Sequence, residues 1–288
     1  MSTLAEPPVE VADGYRAGRT LPFRVELVRQ LKRRRTMVMG GVLFALPIIL
    51  LIAFQVGGDP GGNNNRVNLM DTATASGANF AAVNLFSAAG FLLVIPVALF
   101  CGDTVASEAS WSSLRYLLAA PVPRARLLWS KLAVGLSLSL AAMVLLPIVA
   151  LVVGTAAYGW GPLQLPTGGT LPTGTAAQRL LIVVVYIMVS QLVTAALAFW
   201  LSTRTDAPLG AVGGAVFLTI IGSVLDEVTA LGDWRHFLPA HWQYAWLDAV
   251  RPQLEWSDMI QGTSISVTYA LVLFALAFRG FARKDVVS

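Results

Sequence analysis

Six long uncharged stretches dominate the pattern of apolar and polar positions along the chain. Each has roughly 20 residues or more, the number that a helix rising 1.5 Å per residue needs to cross a hydrocarbon core about 30 Å thick. A buried helix of a soluble protein rarely runs that far without a charge. The pattern therefore predicts an all-α polytopic membrane protein with six transmembrane helices. The predicted spans cover about residues 36–55, 79–102, 132–159, 180–203, 207–225 and 259–278.

The composition supports the same class of protein. Of the 288 residues, 56% are hydrophobic and 12% are charged, whereas a soluble domain carries about 25% charged residues. So little charge cannot cover the surface of a water-soluble globule, which excludes a soluble enzyme. Residues 1–20 are polar and contain Pro7, Pro8 and Gly14, so we expect a disordered N-terminus before one transmembrane domain at 21–284 and a short tail at 285–288.

The positions of the basic residues predict how the chain is oriented. In strict alternation between spans, 16 of the 20 Lys and Arg residues fall on one side, and the exceptions are Arg66, Arg179, Arg235 and Arg251. Because basic residues in short loops stay in the cytoplasm, both termini are expected to be cytoplasmic. These positions also explain the net charge of +4 without a nucleic-acid partner. The excess of Arg over Lys, with abundant Ala, Gly and Val, favours a bacterial cytoplasmic membrane.

The predicted spans contain no Asp, Glu, Lys, Arg or His. Ion-coupled transporters and intramembrane proteases need such groups at membrane depth, so neither class is expected. No lysine follows a Gly-x-x-x-x-Gly lead, so this chain is not expected to bind ATP through a phosphate-binding loop. If the protein moves a substrate, a partner must supply the energy.

No catalytic or metal site is expected in the chain. Cys101 is the single cysteine, which excludes an internal disulfide and a multi-cysteine metal site. His236 and His241 are five residues apart with Pro239 between them, so they do not share a helical face, and no third ligand is evident.

A few uncharged polar and small residues stand out within the spans. Asn84, Gln191 and Thr194 are candidates for a translocation path, and an interhelical hydrogen bond is the alternative for Gln191. Gly210 and Gly214 form a Gly-x-x-x-Gly pair that lets helices approach closely, either within one chain or between two. Kinks are expected near two prolines inside spans, Pro96 and Pro147.

The segment before the first span predicts an amphipathic helix. Phe23, Leu27 and Leu31 recur every four residues, and basic residues occupy the other faces. Such a helix suits the inner leaflet, where basic residues meet anionic lipid headgroups. An ordinary basic flank of a membrane span is the alternative.

The connection between the second and third spans, residues 103–131, is longer than a simple loop requires. It places a set of apolar side chains on one face of a short helix that prolines then end. These apolar residues are Trp111, Leu114, Leu117 and Leu118, followed by Pro121 and Pro123. An apolar face on an exposed helix needs a partner, which is either another protein or the neighbouring helix ends.

The same segment carries a recognisable order of residues, namely Asp103, Glu108, Leu114, Leu117-Leu118, Pro121-Val122, Arg124 and Lys131. In this order the chain resembles the permease subunits of ABC-2-type ABC transporters, and its N-terminal amphipathic segment is similar to their elbow helix. The resemblance covers residues 21–284.

The resemblance implies a permease that is not itself an enzyme. A cytoplasmic coupling helix would dock on a separate ATPase subunit, which binds ATP and Mg, and a second permease chain, identical or not, would complete the path in the lipid bilayer. Trp111 and Leu114 would be apolar anchors of this docking, and Glu108, Arg115 and Arg124 would set its charge and register. The substrate expected is amphipathic or hydrophobic: a drug, a natural product or a lipid.

Two other classes of function stay open. A membrane scaffold would use residues 103–131 to recruit a partner that is not an ATPase. An intramembrane enzyme would need catalytic groups from loops, for which the candidates are Asp226, Glu227, His236 and His241.

Overall fold

The computed structural model describes residues 23–57, 69–110 and 123–283, and most of them are helical. The predicted disordered stretch 1–20 and the tail 285–288 lie outside the described residues. The α-helices are α1 (Phe23–Leu31), α2 (Arg34–Gly57), α3 (Gly77–Ala89), α4 (Val94–Ser110), α5 (Arg124–Tyr158), α6 (Thr173–Ser190), α7 (Leu192–Arg204), α8 (Pro208–Asp226) and α9 (Ser257–Ala282). The 3-10 helices are Leu69–Thr72, Thr229–Phe237, Pro239–Trp242 and Ala245–Val250, and a small hairpin joins β1 (Leu163–Gln164) to β2 (Thr170–Leu171).

Five stretches of the described chain are long and apolar enough to cross a membrane: α2, α5, α6 with α7, α8 and α9. A sixth is added if α3 and α4, which meet at an angle of 52°, count as one span. The protein is therefore an all-α, multi-pass membrane protein, as the sequence predicts.

The helices share two common ends. One end carries α1, and we call it the α1 end. There the Ala106 amide donates to Ser202 Oγ at 2.9 Å, and Arg124 Nη1 donates to the Ala282 carbonyl at 3.3 Å. At the opposite end, the hairpin end, the Gly77 amide donates to the Gly159 carbonyl at 2.9 Å. Because α3 begins at the hairpin end and α4 finishes at the α1 end, the bent pair runs the length of the bundle.

The break between α3 and α4 has a cause in the sequence. Pro96, the third residue of α4, has no amide hydrogen, and its ring conflicts with a helical carbonyl four residues earlier, at Leu92. The expected kink therefore appears as a break across residues 90–93. In contrast, α5 continues through Pro147 without interruption from Arg124 to Tyr158.

Close helix contacts depend on glycines other than the predicted pair. A Cβ on Gly77 would stand 2.5 Å from Thr155 Oγ1, and one on Gly262 would stand 2.2 Å from the Tyr186 hydroxyl. Of the predicted pair, Gly214 faces Leu201 of α7: a Cβ on Gly214 would stand 3.2 Å from Leu201 Cδ1. Gly210 meets only the chain just before it, so it packs against no other helix among the described residues.

The core lies along α3 and α4, while α2 and α8 lie at the periphery. Eleven of the 13 residues of α3 are buried, whereas α2 and α8 each bury only two. The peripheral helices therefore leave long apolar faces for lipid or for another chain.

Candidate functional site

A buried cluster of charges joins three helices at the α1 end. The ammonium nitrogen of Lys131, on α5, lies 2.7 Å from Glu108 Oε1 of α4 and 3.0 Å from Glu26 Oε1 of α1. None of the three side chains is more than 6% exposed. We call these residues, together with Arg29, the ionic cluster.

Arg29 closes the cluster toward solvent. Its guanidinium pairs with Glu26 at 2.8 Å and also with Glu108, and its side chain is 47% exposed. Gln30 adds a hydrogen bond from its Nε2 to Glu26 Oε1 at 3.1 Å. Two carboxylates therefore meet two cations, which balances the charge inside the cluster.

Glu26 is held in its ionised form. Burial raises the pKa of this carboxyl group, but the charge of Lys131 and the hydrogen bonds from Arg29, Lys131 and Gln30 together outweigh burial, so the pKa falls below its usual value. An ionised, fully paired Glu26 ties α1 to α5.

A second ionic contact lies close by on α4. Asp103 accepts from Arg33 Nη1 at 2.7 Å and also from Arg35 Nη1, and its side chain is buried. The corner between α1 and α2 is therefore attached to α4 through Asp103, and α1 itself is attached through Glu108. Together these contacts connect the chain before the first span to the helix that leads into residues 111–122.

The predicted coupling residues fall into three groups. Glu108 is buried in the ionic cluster, so it is an internal contact and not an exposed docking residue. Arg124 lies at the start of α5, exposed, where its bond to the Ala282 carbonyl caps the end of α9. Trp111, Leu114 and Arg115 lie outside the described residues.

A helix, α1, forms where the sequence predicts an amphipathic segment before the first span, and two polar residues of this helix face inward. Phe23 and Leu31 are exposed and Leu27 is half-buried against the core, while the residues that face inward are Glu26 and Gln30. Sequence reasoning missed Glu26. The available signal was that Glu26 is the only acidic residue between Arg16 and Arg35, in an otherwise basic segment.

Two of the three predicted path residues line a common cavity. Gln191 and Thr194 border a cavity of about 320 Å³ that lies between α4, α7, α8, α9 and the 3-10 helix at Pro239–Trp242. Asn84 lies elsewhere: it is buried within α3, and its amide donates to the Phe80 carbonyl of its own helix at 2.9 Å. The structure therefore does not bring Asn84 together with the other two.

Two residues of the cavity wall, Gln191 and Gln243, bind the end of α3, just before its break from α4. The carbonyl of Ala89, the last residue of α3, accepts from Gln191 Nε2 at 3.3 Å and from Gln243 Nε2 at 2.9 Å. The predicted interhelical hydrogen bond of Gln191 is therefore present. Gln243, which sequence reasoning missed, donates to the same carbonyl.

The two histidines at the hairpin end are closer than their spacing suggests. The turn at Leu238–Pro239 brings the rings of His236 and His241 to 4.8 Å between centroids, and His241 Nδ1 lies 2.7 Å from Asp226 Oδ1. Among the described residues, no group of three or more His, Cys, Asp or Glu residues is arranged to hold a metal ion.

A family model described as "Protein of unknown function (DUF2705)" matches residues 48–287. No curated protein matches the chain. Since the match covers most of the sequence, the chain belongs to the DUF2705 family.

Proposed function

We propose that this member of the DUF2705 family is the transmembrane permease subunit of an ATP-driven exporter of the ABC-2 type. It works with a second permease chain and a separate ATPase subunit, and its substrate is an amphipathic or hydrophobic drug, natural product or lipid. The observation that supports the proposal most is the ionic cluster, which joins α1, α4 and α5. In the chain, α4 precedes residues 111–122 and α5 follows them.

The lengths of the helices support a contact site away from the lipid. With 35 residues, α5 is about 50 Å long, whereas about 30 Å is enough to cross the hydrocarbon core. A helix of this length extends beyond the hydrocarbon, and its first residues carry Arg124 and Arg126. Residues 111–122, which contain the apolar anchors Trp111 and Leu114, connect to this end of α5.

The ionic cluster suits transmission of a movement from residues 111–122. Transferring each buried charge from water costs several kcal/mol, so such a cluster adds little to stability compared with apolar packing. A loop that only connects two spans does not require a buried ionic cluster at its ends. With Lys131 holding both Glu26 and Glu108, a partner that displaces residues 111–122 moves α1, α4 and α5 together.

In this proposal the bent α3–α4 pair is the second of six spans, α1 is the elbow helix and the α1 end is cytoplasmic. The distribution of basic residues agrees, because the cationic side chains at that end outnumber those at the hairpin end. At the α1 end lie Arg33, Arg35, Arg124, Arg204 and Arg283, and at the hairpin end lie Arg179, Arg235 and Arg251. The proposed location is a bacterial cytoplasmic membrane.

The peripheral helices leave room for a second chain. The apolar faces of α2 and α8 are exposed, and no helix among the described residues packs against Gly210, so these surfaces are available for contact between two permeases. Gln191 and Thr194 are the candidate path residues that share a cavity, whereas Asn84 lies apart from them within α3.

The test is co-purification of the tagged full chain from its native membranes in a mild detergent, followed by mass spectrometry and an ATPase assay. We expect a P-loop ATPase to accompany the wild-type chain and to be lost from a Trp111→Glu, Leu114→Glu variant. The matched control is Trp234→Glu, because Trp234 is 74% exposed but lies at the hairpin end. That control should retain the ATPase.

Two results would overturn the proposal. The first is the absence of any ATPase in a preparation whose thermal unfolding shows that it is folded. The second is capture, through the same two residues, of a partner without nucleotide-binding activity, which would establish the scaffold function instead.

A further inference from the structure

We infer that the cavity lined by Gln191 and Thr194 binds a small neutral molecule that has an apolar body and one hydroxyl group. The hydroxyl meets Gln243 and Thr194, and the body contacts the apolar wall. This inference goes beyond the proposed function, because binding at this site requires neither an ATPase nor transport.

The size and lining of the cavity are those of a ligand site. Its volume of about 320 Å³ lies at the lower end of the range of roughly 300–1,000 Å³ that is typical of small-molecule pockets. Most of the wall is aliphatic, with Val94, Leu197, Leu218, Leu238 and Leu273 among its residues. Such a wall favours an apolar body.

The residues that line the cavity also indicate the charge of its occupant. No residue that lines the cavity, within the part of the chain that the structure describes, is acidic, basic or a histidine. An ion placed there would lose part of its hydration and gain no counter-charge from the wall, which is unfavourable. The occupant is therefore neutral.

Besides the exposed Tyr269, two polar residues of the wall, Gln243 and Thr194, are open to a ligand. The Gln243 amide donates through Nε2 to the Ala89 carbonyl, and this bond fixes which way the amide points and presents its oxygen as a free acceptor. Thr194 is buried to 4% exposure, and its hydroxyl forms no hydrogen bond with any described residue. It lies one helical turn after Gln191, which shares the Ala89 carbonyl with Gln243.

Gln191 has a different role from Gln243. Its Oε1 is shielded even from water and has no hydrogen-bond partner among the described residues, so this oxygen does not face the cavity although other atoms of Gln191 line it. Its Nε2 supports the Ala89 carbonyl together with Gln243. Because two amides share this carbonyl, replacement of one of them leaves the break between α3 and α4 satisfied.

The experiment uses the purified full chain in nanodiscs of phosphatidylcholine and a matched pair of probes. 1-Naphthol has the required hydroxyl, and 1-methoxynaphthalene is its ether without a donor. We expect saturable binding of 1-naphthol, tighter than that of the ether by roughly three- to tenfold, the range set by one net hydrogen bond. Nanodiscs without protein give the contribution of partitioning into lipid.

Three variants locate the site. Gly222 lines the cavity, and the nearest atom to a Cβ built there is Ala240 Cβ at 3.8 Å, so Gly222→Leu fills the space and should abolish binding of both probes. Gly213→Leu, on the same helix with no atom within 4 Å of a built Cβ, is the control and should bind normally. Thr194→Val combined with Gln243→Met should bind both probes equally.

A second measurement tests the site without the Gly222→Leu variant, in case that variant fails to fold. Cys101 is the single cysteine and is buried, so Cys101→Ala provides a background in which Thr219→Cys, on the cavity wall, is the one reactive thiol. We expect 1-naphthol to slow its alkylation by N-ethylmaleimide more than the ether does. Equal effects of the two probes, or unchanged binding in Gly222→Leu, would overturn the inference and leave only an apolar crevice for lipid chains.

Discussion

Lys131 and Glu108 form an ion pair inside the bundle, with 2.7 Å between Nζ and Oε1 and side chains only 4% and 5% exposed. The pair joins the start of α5 to the last turns of α4, the two helices that flank residues 111–122. Its stability is inseparable from that of Glu26 and Arg29, because Lys131 also binds Glu26 and Arg29 binds both carboxylates.

Replacement of Lys131 should destabilise the protein strongly. Lys131→Met leaves Glu26 and Glu108 buried with Arg29 as their shared cation, and loss of one partner of a buried pair costs about 3–5 kcal/mol in the free energy of unfolding. The double variant Lys131→Met, Glu108→Gln should lose less free energy of unfolding than the sum of the losses in the two single variants. Chemical unfolding in detergent measures all three variants.

The control for that prediction is Glu255→Gln. Glu255 pairs with Arg251 at 2.9 Å, but its side chain is 60% exposed, and exposed pairs contribute about 0–1 kcal/mol. Equal destabilisation by Lys131→Met and Glu255→Gln would contradict a structural role for the ionic cluster.

Glu26 should make stability depend on acid pH. Its pKa is lowered in the folded protein from an ordinary value of 4.5, so the folded state favours the carboxylate. The stabilisation is therefore fully present above pH 4.5 and is lost as the pH falls below 4.5 through the lowered pKa.

Thermal unfolding of the wild type and Glu26→Gln between pH 7 and pH 3 checks this. The wild type should be more stable at neutral pH, and the difference should shrink as the pH falls. A difference in stability that stays constant over this range would show that folding does not lower the pKa of Glu26.

Asp103 should control how firmly α2 is held at the α1 end. In Asp103→Asn the amide keeps the size of the side chain but loses the charge that binds Arg33 and Arg35. We expect faster amide hydrogen exchange in the first turns of α2 and unchanged exchange in α6. The matched control is Asp226→Asn, at the hairpin end, which should leave α2 unaffected.

Two glycines should respond in opposite directions to the same change. In Gly77→Ala the new methyl group collides with the backbone of Thr155, whose amide nitrogen would be 2.7 Å from the Cβ, and such overpacking costs about 1–3 kcal/mol. In Gly40→Ala the Cβ meets nothing within 4 Å, and the gain in helix propensity is about 0.8–1 kcal/mol. Thermal melts of the two variants should therefore shift in opposite directions, and a shared direction would contradict the close contact at Gly77.

Most of the helical fold could be predicted from local pattern. The predicted stretches at 36–55, 207–225 and 259–278 correspond to α2, α8 and α9 to within a few residues. The predicted span at 132–159 is the apolar part of α5, which begins earlier, at Arg124, because charged residues continue a helix outside the lipid. The predicted span at 79–102 is the bent pair, whose break lies one turn before Pro96.

The candidate site could be predicted only in part. Glu108 and Lys131 were recognisable from their order in the sequence, but their pairing with Glu26 was not, because Glu26 and Lys131 are 105 residues apart. Gln191 stood out as a costly polar residue in an apolar span. Gln243, which donates to the same Ala89 carbonyl, lies in a polar connecting segment, where a glutamine is an ordinary residue and gives no signal of a site.

The pattern of residues along the chain is enough to show that it crosses a membrane several times, because a hydrocarbon core demands long uncharged stretches and each stretch is a local property. Contacts between helices are needed to show which charges meet at the α1 end and which polar residues share a cavity. The physical reason is that burial and hydrogen bonding of these side chains depend on contacts between helices far apart along the chain, and no local pattern of residues records those contacts.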